Sequence, residues 1–246
     1  MFSQLLKLTG CCFLFLLAGI SAKADTLIVA VNHAPPYRII SGYTSKPAYS
    51  GIYIDIFREV AKRAKITITY KEVPFKRALS MMEAGTADIM LGPNRTPERE
   101  AYMIYLDAEL PRETKAFYLH PDAPDIKSYD GLSGFSVYVL RGARYFDPFD
   151  QDQAMKKIAV NDYAVALRSL RRHKDRTSII PEQQGDYLMR ELGFPLKKAS
   201  YHAPGKISYI ALSRQSAFLD EKVRFERLLT EMEKSGAIDQ IVAQYR

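Results

Sequence analysis

The sequence predicts an α/β fold built in two units. Residues 26–92 alternate strand and helix signals, and a second alternation runs on to about residue 202. With 246 residues and 47% hydrophobic composition, the chain is also long enough for two modest cores. Strands separated by helices imply parallel sheets with helices laid over them.

TLIVAV, 26–31, is a short apolar strand followed by the turn-prone NHAPPY. GIYIDIFREVAKRAK then sets Ile56, Phe57, Val60, Ala61 and Ala64 at helical spacing, a stripe that needs covering. ITITYKEV is the next strand, by alternation and β-branching. PFKRALSMMEAG is a helix with Pro74 near its start and Gly85 as its stop, and ADIML is a third strand. Parallel sheets collect ligands beyond the carboxyl ends of their strands, so the two segments that follow strands, NHAPPY and GPNRTPERE, are expected at one rim.

In the second unit, KAFYLH and FSVYVLRG are strands and NDYAVALRSLRRHK is a helix capped by Asn161 or Asp162. TSIIPE is a short strand before the helical GDYLMRELG. The pattern closes with the strand ISYIALS and a helix presenting Phe225, Leu228, Leu229 and Met232. Gly236 breaks that helix before a last one carrying Ile238, Ile241, Val242 and Tyr245.

The first two dozen residues read as a targeting segment: one lysine, the apolar run CCFLFLLAGI, and Ala22-Lys23-Ala24 as a small-x-small cleavage site. Residues 1–24 are therefore expected to leave as a signal peptide. Ten apolar residues are too few for the roughly 20 that span a bilayer. Cys11 and Cys12 leave with the segment, so the mature chain has no disulfide, thiolate nucleophile or cysteine metal site. Loss of Lys7 and Lys23 reduces the formal charge from +7 to +5. The basic residues are scattered and not interleaved with aromatics, which argues against nucleic acid. RRHK, 171–174, suits a solvated helix end. G-x-S-x-G and H-E-x-x-H are absent, and His33, His120, His173 and His202 are dispersed; no catalytic residue, metal or cofactor is expected.

GPNRTPERE, 92–100, reads as strand exit, turn and helix start. Thr96 is placed to cap free amides and Pro97 to occupy the first helical position. Glu98 and Glu100 favour the positive helix end, whereas Arg99 opposes it. Two readings of Arg99 stay open here, a surface salt bridge or a two-pronged clamp on a ligand carboxylate.

Taken with APPY at 34–37, GIYIDIFREVAKRAK, the helix before EAGTADIM, TPER at 96–99, VLRG and the closing EKSGAIDQIVAQYR, the chain resembles the family 3 periplasmic solute-binding proteins, receptors for polar amino acids in bacterial ABC uptake transport. The resemblance covers residues 25–246. It implies a two-lobed periplasmic binding protein fold of type II, each lobe a mostly parallel sheet flanked by helices, joined by two crossover segments. Lobe 1 would hold 25–114 and 203–246, and lobe 2 would hold 115–202. It further implies a monomer in the periplasm, without enzymatic activity, that closes on a small carboxylate-bearing solute and delivers it to a membrane permease.

Residue by residue, the resemblance assigns Arg99 to the ligand α-carboxylate, with Asn94 and Gly142 adding contacts to it. Glu182 falls where an aspartate usually receives the ligand ammonium. Phe75 and Tyr37 fall at aromatic walls, and Arg77 stands one helical step above the cleft. The chain departs from the pattern in two places. Tyr53 replaces an acidic residue in Gly51-Ile52-Tyr53-Ile54-Asp55, and Gly142-Ala143-Arg144 lacks the usual hydroxyl, so that Arg144 either substitutes for it or serves a second anionic group. An acidic or amphoteric solute would use these extra cations. The same fold also resembles sensor domains for membrane signalling partners and cyclohexadienyl dehydratases; the latter would need a carboxyl such as Glu182 with a raised pKa.

Overall fold

The computed structural model describes residues 26–42, 47–108, 110 and 113–245. The expected signal peptide, 1–24, lies outside them, as do residues 43–46 in the middle of the SGYTSKPAYS segment. In chain order the first part comprises β1 (Leu27–Val31), β2 (Ile39–Ser41), β3 (Ala48–Ser50), α1 (Ile52–Ala64), β4 (Ile68–Glu72), α2 (Phe75–Glu83), β5 (Ile89–Asn94), α3 (Pro97–Glu100) and β6 (Met103–Tyr105). The second comprises β7 (Lys115–Leu119), β8 (Ser136–Leu140), β9 (Lys157–Val160), α4 (Tyr163–Leu170), β10 (Arg176–Pro181), α5 (Glu182–Leu192) and β11 (Lys197–Ala203). The chain then returns through β12 (Ser208–Ser213), α6 (Lys222–Lys234) and α7 (Ala237–Ala243).

Two five-stranded sheets result, ordered β4-β1-β5-β12-β6 and β11-β7-β10-β8-β9. Each anchors one lobe. The chain passes between them twice, from β6 to β7 and from β11 to β12. Both sheets are mixed rather than mostly parallel. In the first, β1 pairs parallel with β4 and β5, but β12 pairs antiparallel with β5 and β6. In the second, β7 is antiparallel to both β10 and β11. Every antiparallel pairing within the two sheets involves β7 or β12, the strands by which the chain enters the second sheet and returns to the first.

The helical stripes pack as their spacing demands. Ile56, Phe57, Val60, Ala61 and Ala64 of α1 are buried, and Phe57 meets Phe225 of α6 edge-on, ring centroids 5.7 Å apart. Phe225, Leu228, Leu229 and Met232 are buried with them. Lys65 ends α1 in the left-handed conformation at φ 57°, and Asp162 caps α4 by accepting from the Ala164 amide at 2.7 Å. The last aromatic, Tyr245, accepts from the Gly51 amide at 2.8 Å and ties the end of the chain to the start of α1.

Candidate functional site

The turn after β1 and the turn after β5 meet at the rim between the lobes. Together with the end of β8 and the starts of β7, α4 and α5 they enclose a cavity of about 60 Å³. By the size a water requires, that is room for about four to six molecules.

Four of the sequence-predicted residues line this cavity: Tyr37, Phe75, Asn94 and Arg144. Arg99 lies beside it, only 4% exposed. Thr96 caps α3 by accepting from the Arg99 amide at 3.4 Å, with Pro97 at the first helical position, and this turns the Arg99 side chain inward. Its guanidinium donates to the Asn94 carbonyl at 2.7 Å and to the Gly142 carbonyl at 2.8 Å, so it bridges the two lobes. The Phe75 ring lies 5.8 Å from the guanidinium carbon, a cation–π distance. Burial lowers the Arg99 pKa, and the neighbouring Tyr105 and Tyr102 partly offset that. Gly142, at φ 83°, occupies a turn, but no helix follows it; the next element is β9. Arg144 is about half exposed at the cavity edge, 3.8 Å from Glu98.

Two predicted residues are placed elsewhere. Arg77 is exposed on α2 and does not line the cavity. Glu182 opens α5 outside the cavity, where it accepts from Thr114 at 2.6 Å and from Lys198 at 2.7 Å. Burial raises its pKa, but the hydrogen bonds from Lys198 and Thr114 outweigh this and hold it below the ordinary carboxyl value. That is the opposite of what a general acid requires. His33 accepts from the Ile40 amide at 3.1 Å and so caps the turn after β1.

The innermost wall consists of residues the sequence reading did not select. Arg38, 6% exposed, donates to the Leu91 carbonyl at 2.8 Å and to the Asn32 carbonyl at 3.3 Å. Its guanidinium carbon lies 5.9 Å from the Tyr53 ring centroid. Gly92 makes this possible: it has φ 85°, and a Cβ there would come within 2.5 Å of Arg38 Nη1. Tyr53 stacks on Tyr37 with centroids 4.8 Å apart and donates to Glu113 Oε1 at 2.6 Å. Lys115 donates to Glu113 Oε2 at 3.2 Å, and both side chains are almost fully buried. Burial pulls the Arg38 pKa down while Tyr53 and Glu113 oppose it; an arginine remains protonated at neutral pH. Desolvation and the Glu113 charge raise the Tyr53 hydroxyl well above its usual value, so it remains a donor.

Two signals pointed to this wall. Arg38 directly follows the APPY turn that places Tyr37, and period-two alternation in KAFYLH puts Lys115 on the face shared by Phe117 and Leu119.

The profile of the bacterial extracellular solute-binding proteins, family 3, matches residues 27–246. The chain belongs to that family. Three solved structures share the fold of this family 3 protein. The substrate-binding protein of an amino acid ABC transporter is 18% identical, with a TM-score of 0.76, covering 90% of this chain and 99% of its own. A Salmonella typhimurium periplasmic binding protein described as highly specific for arginine is 17% identical, with a TM-score of 0.75 and coverages of 90% and 99%. A histidine kinase sensor domain is 19% identical, with a TM-score of 0.74 and coverages of 89% and 95%. At these identities the likeness establishes the two-lobed fold. No curated protein matches the chain. Among the described residues of this family 3 protein, no cluster of three metal-ligating side chains forms and no helix is long and apolar enough to cross a membrane.

Proposed function

We propose that this family 3 protein captures an amino acid or similar small carboxylate-bearing solute in the periplasm and delivers it to an ABC uptake permease. The observation that carries the reading is Arg99. It is a buried guanidinium beside the interlobe cavity, spanning carbonyls from both lobes, and its planar fork matches a carboxylate. Asn94, Gly142 and Arg144 surround that fork, and Tyr37 and Phe75 supply apolar walls. Arg77 and Glu182 lie too far out to join this set. The amino acid receptors among the similar structures support the solute class. Sheet membership supports assigning 25–114 and 203–246 to lobe 1 and 115–202 to lobe 2, except that Ala203 is still the last residue of β11 in the second sheet.

The test is a thermal-shift series on the exported, processed protein with amino acids, dicarboxylates, polyamines and small peptides. A solute at one hundred times its dissociation constant stabilises the native state by about 2.7 kcal/mol, and Arg99→Ala is expected to abolish the shift. A folded, ligand-free protein that responds to none of them would sink the proposal.

A further inference from the structure

We propose that the solute is a small dianion of the dicarboxylate type, whose inner acidic group is received by Arg38 and Lys115, and that an ammonium group is not required for binding. This rests on the solute-binding reading of the same cavity and specifies its chemistry.

The inference follows from the donors and acceptors of the inner wall. The only carboxylate lining the cavity among the described residues is Glu113, and both of its oxygens are engaged, one by the Tyr53 hydroxyl at 2.6 Å and one by Lys115 at 3.2 Å. Donors, by contrast, are in surplus. An ammonium carries three N–H groups, and Lys115 directs a hydrogen bond only to Glu113 among the described residues. Arg38 binds carbonyls through Nε and Nη1, while its Nη2 donates to no described protein atom. A ligand group that satisfies these donors must bring acceptor oxygens. A ligand ammonium would instead face two buried cations with no free carboxylate to receive it, since Glu182 is outside the cavity and paired with Lys198.

Charge leads to the same conclusion. Three cations line the cavity, Arg38, Lys115 and Arg144, against the single carboxylate of Glu113. One positive charge deep in the cavity is left uncompensated, and at the mouth Arg144, which has only the exposed Glu98 at 3.8 Å, adds a second with Arg99 beside it. A molecule with a carboxylate at each end neutralises both, its outer end meeting Arg144 and the Arg99 fork. Buried charges are tolerated when paired and costly when not, so the inner position selects for charge rather than merely accepting it.

The test is titration calorimetry of the exported, processed protein with succinate, glutarate, glutamate, glutamine and arginine. Succinate or glutarate is expected to bind, with glutamine and arginine at least about tenfold weaker, the effect of losing a charge-assisted hydrogen bond, whereas binding of glutamate but of neither succinate nor glutarate would show that the ammonium is required and overturn the proposal. The double variant Glu113→Gln/Lys115→Met removes Lys115, one of the two inner cations, together with the carboxylate it pairs with, and leaves Arg38 in place; losing the Lys115 hydrogen bond is expected to cost the diacid at least about tenfold while the protein stays folded by circular dichroism. Glutamine or arginine binding as tightly as any diacid would overturn the dianion assignment and leave the solute-binding reading standing. Diacid affinity unchanged in the double variant would likewise overturn it. Binding of none of the five, nor of any compound in the wider panel, would overturn both.

Discussion

Arg99 and Gly142 join the lobes directly: the arginine Nη2 donates to the glycine carbonyl at 2.8 Å from across the cleft. Its Nη1 holds the Asn94 carbonyl at 2.7 Å, so one planar group ties a strand end of lobe 1 to a turn of lobe 2. Arg99→Ala strips a charged donor from both carbonyls and is expected to destabilise the protein by about 1–3 kcal/mol, besides removing solute binding. Arg99→Lys should recover part of the stability but little of the binding, because an ammonium cannot present two parallel donors. Urea midpoints beside calorimetry separate the two effects; a lysine variant with full affinity would contradict the fork geometry.

The second close approach is between the crossover segments themselves. An ideal Cβ on Gly205 would fall 1.1 Å from the Glu113 carbonyl oxygen, so the two segments touch backbone to backbone. Gly205→Ala must push them apart, and is expected to cost about 3 kcal/mol, at the upper end for overpacking, because a backbone atom cannot swing away. An unchanged unfolding midpoint would show that the crossovers shift freely.

Tyr53→Phe removes a single hydroxyl from the buried carboxylate of Glu113, leaving Lys115 as its described partner. Hydrogen bonds to charged groups are worth about 1.5–3 kcal/mol, and a loss in that range is expected in chemical denaturation. A loss below about 0.5 kcal/mol would indicate that water takes over the role of the hydroxyl.

Lys198 bridges Glu182 and Asp186 at 2.7 and 2.9 Å, with a consequence for pH dependence. Glu182 titrates below its ordinary 4.5, so its contribution to stability is complete above that value and is lost as pH falls through the lower native pKa. The Lys198 pKa is reduced by burial but raised overall by its hydrogen bonds to Asp186 and Glu182, so its contribution is complete below 10.5 and lost as pH rises past the native value. Lys198→Met should therefore weaken the protein by no more than about 1 kcal/mol at pH 7. The gap between variant and parent should close as pH is lowered from about 5 to 3. A gap that stays constant across that range would exclude the ion pairs as its cause.

How far the sequence could be read depended on whether a feature was local. The α1 stripe, the Thr96-Pro97 helix start and the rim position of the turns after β1 and β5 follow from periodicity and capping within a few residues. β6, β9 and β11 escaped because their strand character depends on partners distant in the chain; β11, with its Lys197 and Lys198, has no clean alternation until β7 lies beside it. The inner wall was missed for a related reason. Arg38, Glu113 and Lys115 are charged residues beside turns, which in isolation are most simply solvated, and only the approach of the two lobes buries them. Glu182 shows the converse: an acidic residue at the expected position in the chain has its carboxylate engaged by a lysine on the adjacent β11.

β12 has a further consequence, in time rather than in space. It fills the gap between β5 and β6, yet it is synthesised after every strand of the second sheet. The second lobe can therefore be complete while the first still exposes two unpaired strand edges. Domains commonly finish in order from the amino terminus during synthesis; here that order is reversed. A chain cut or stalled before residue 208 would carry a finished lobe attached to an open sheet, the kind of edge that recruits other chains.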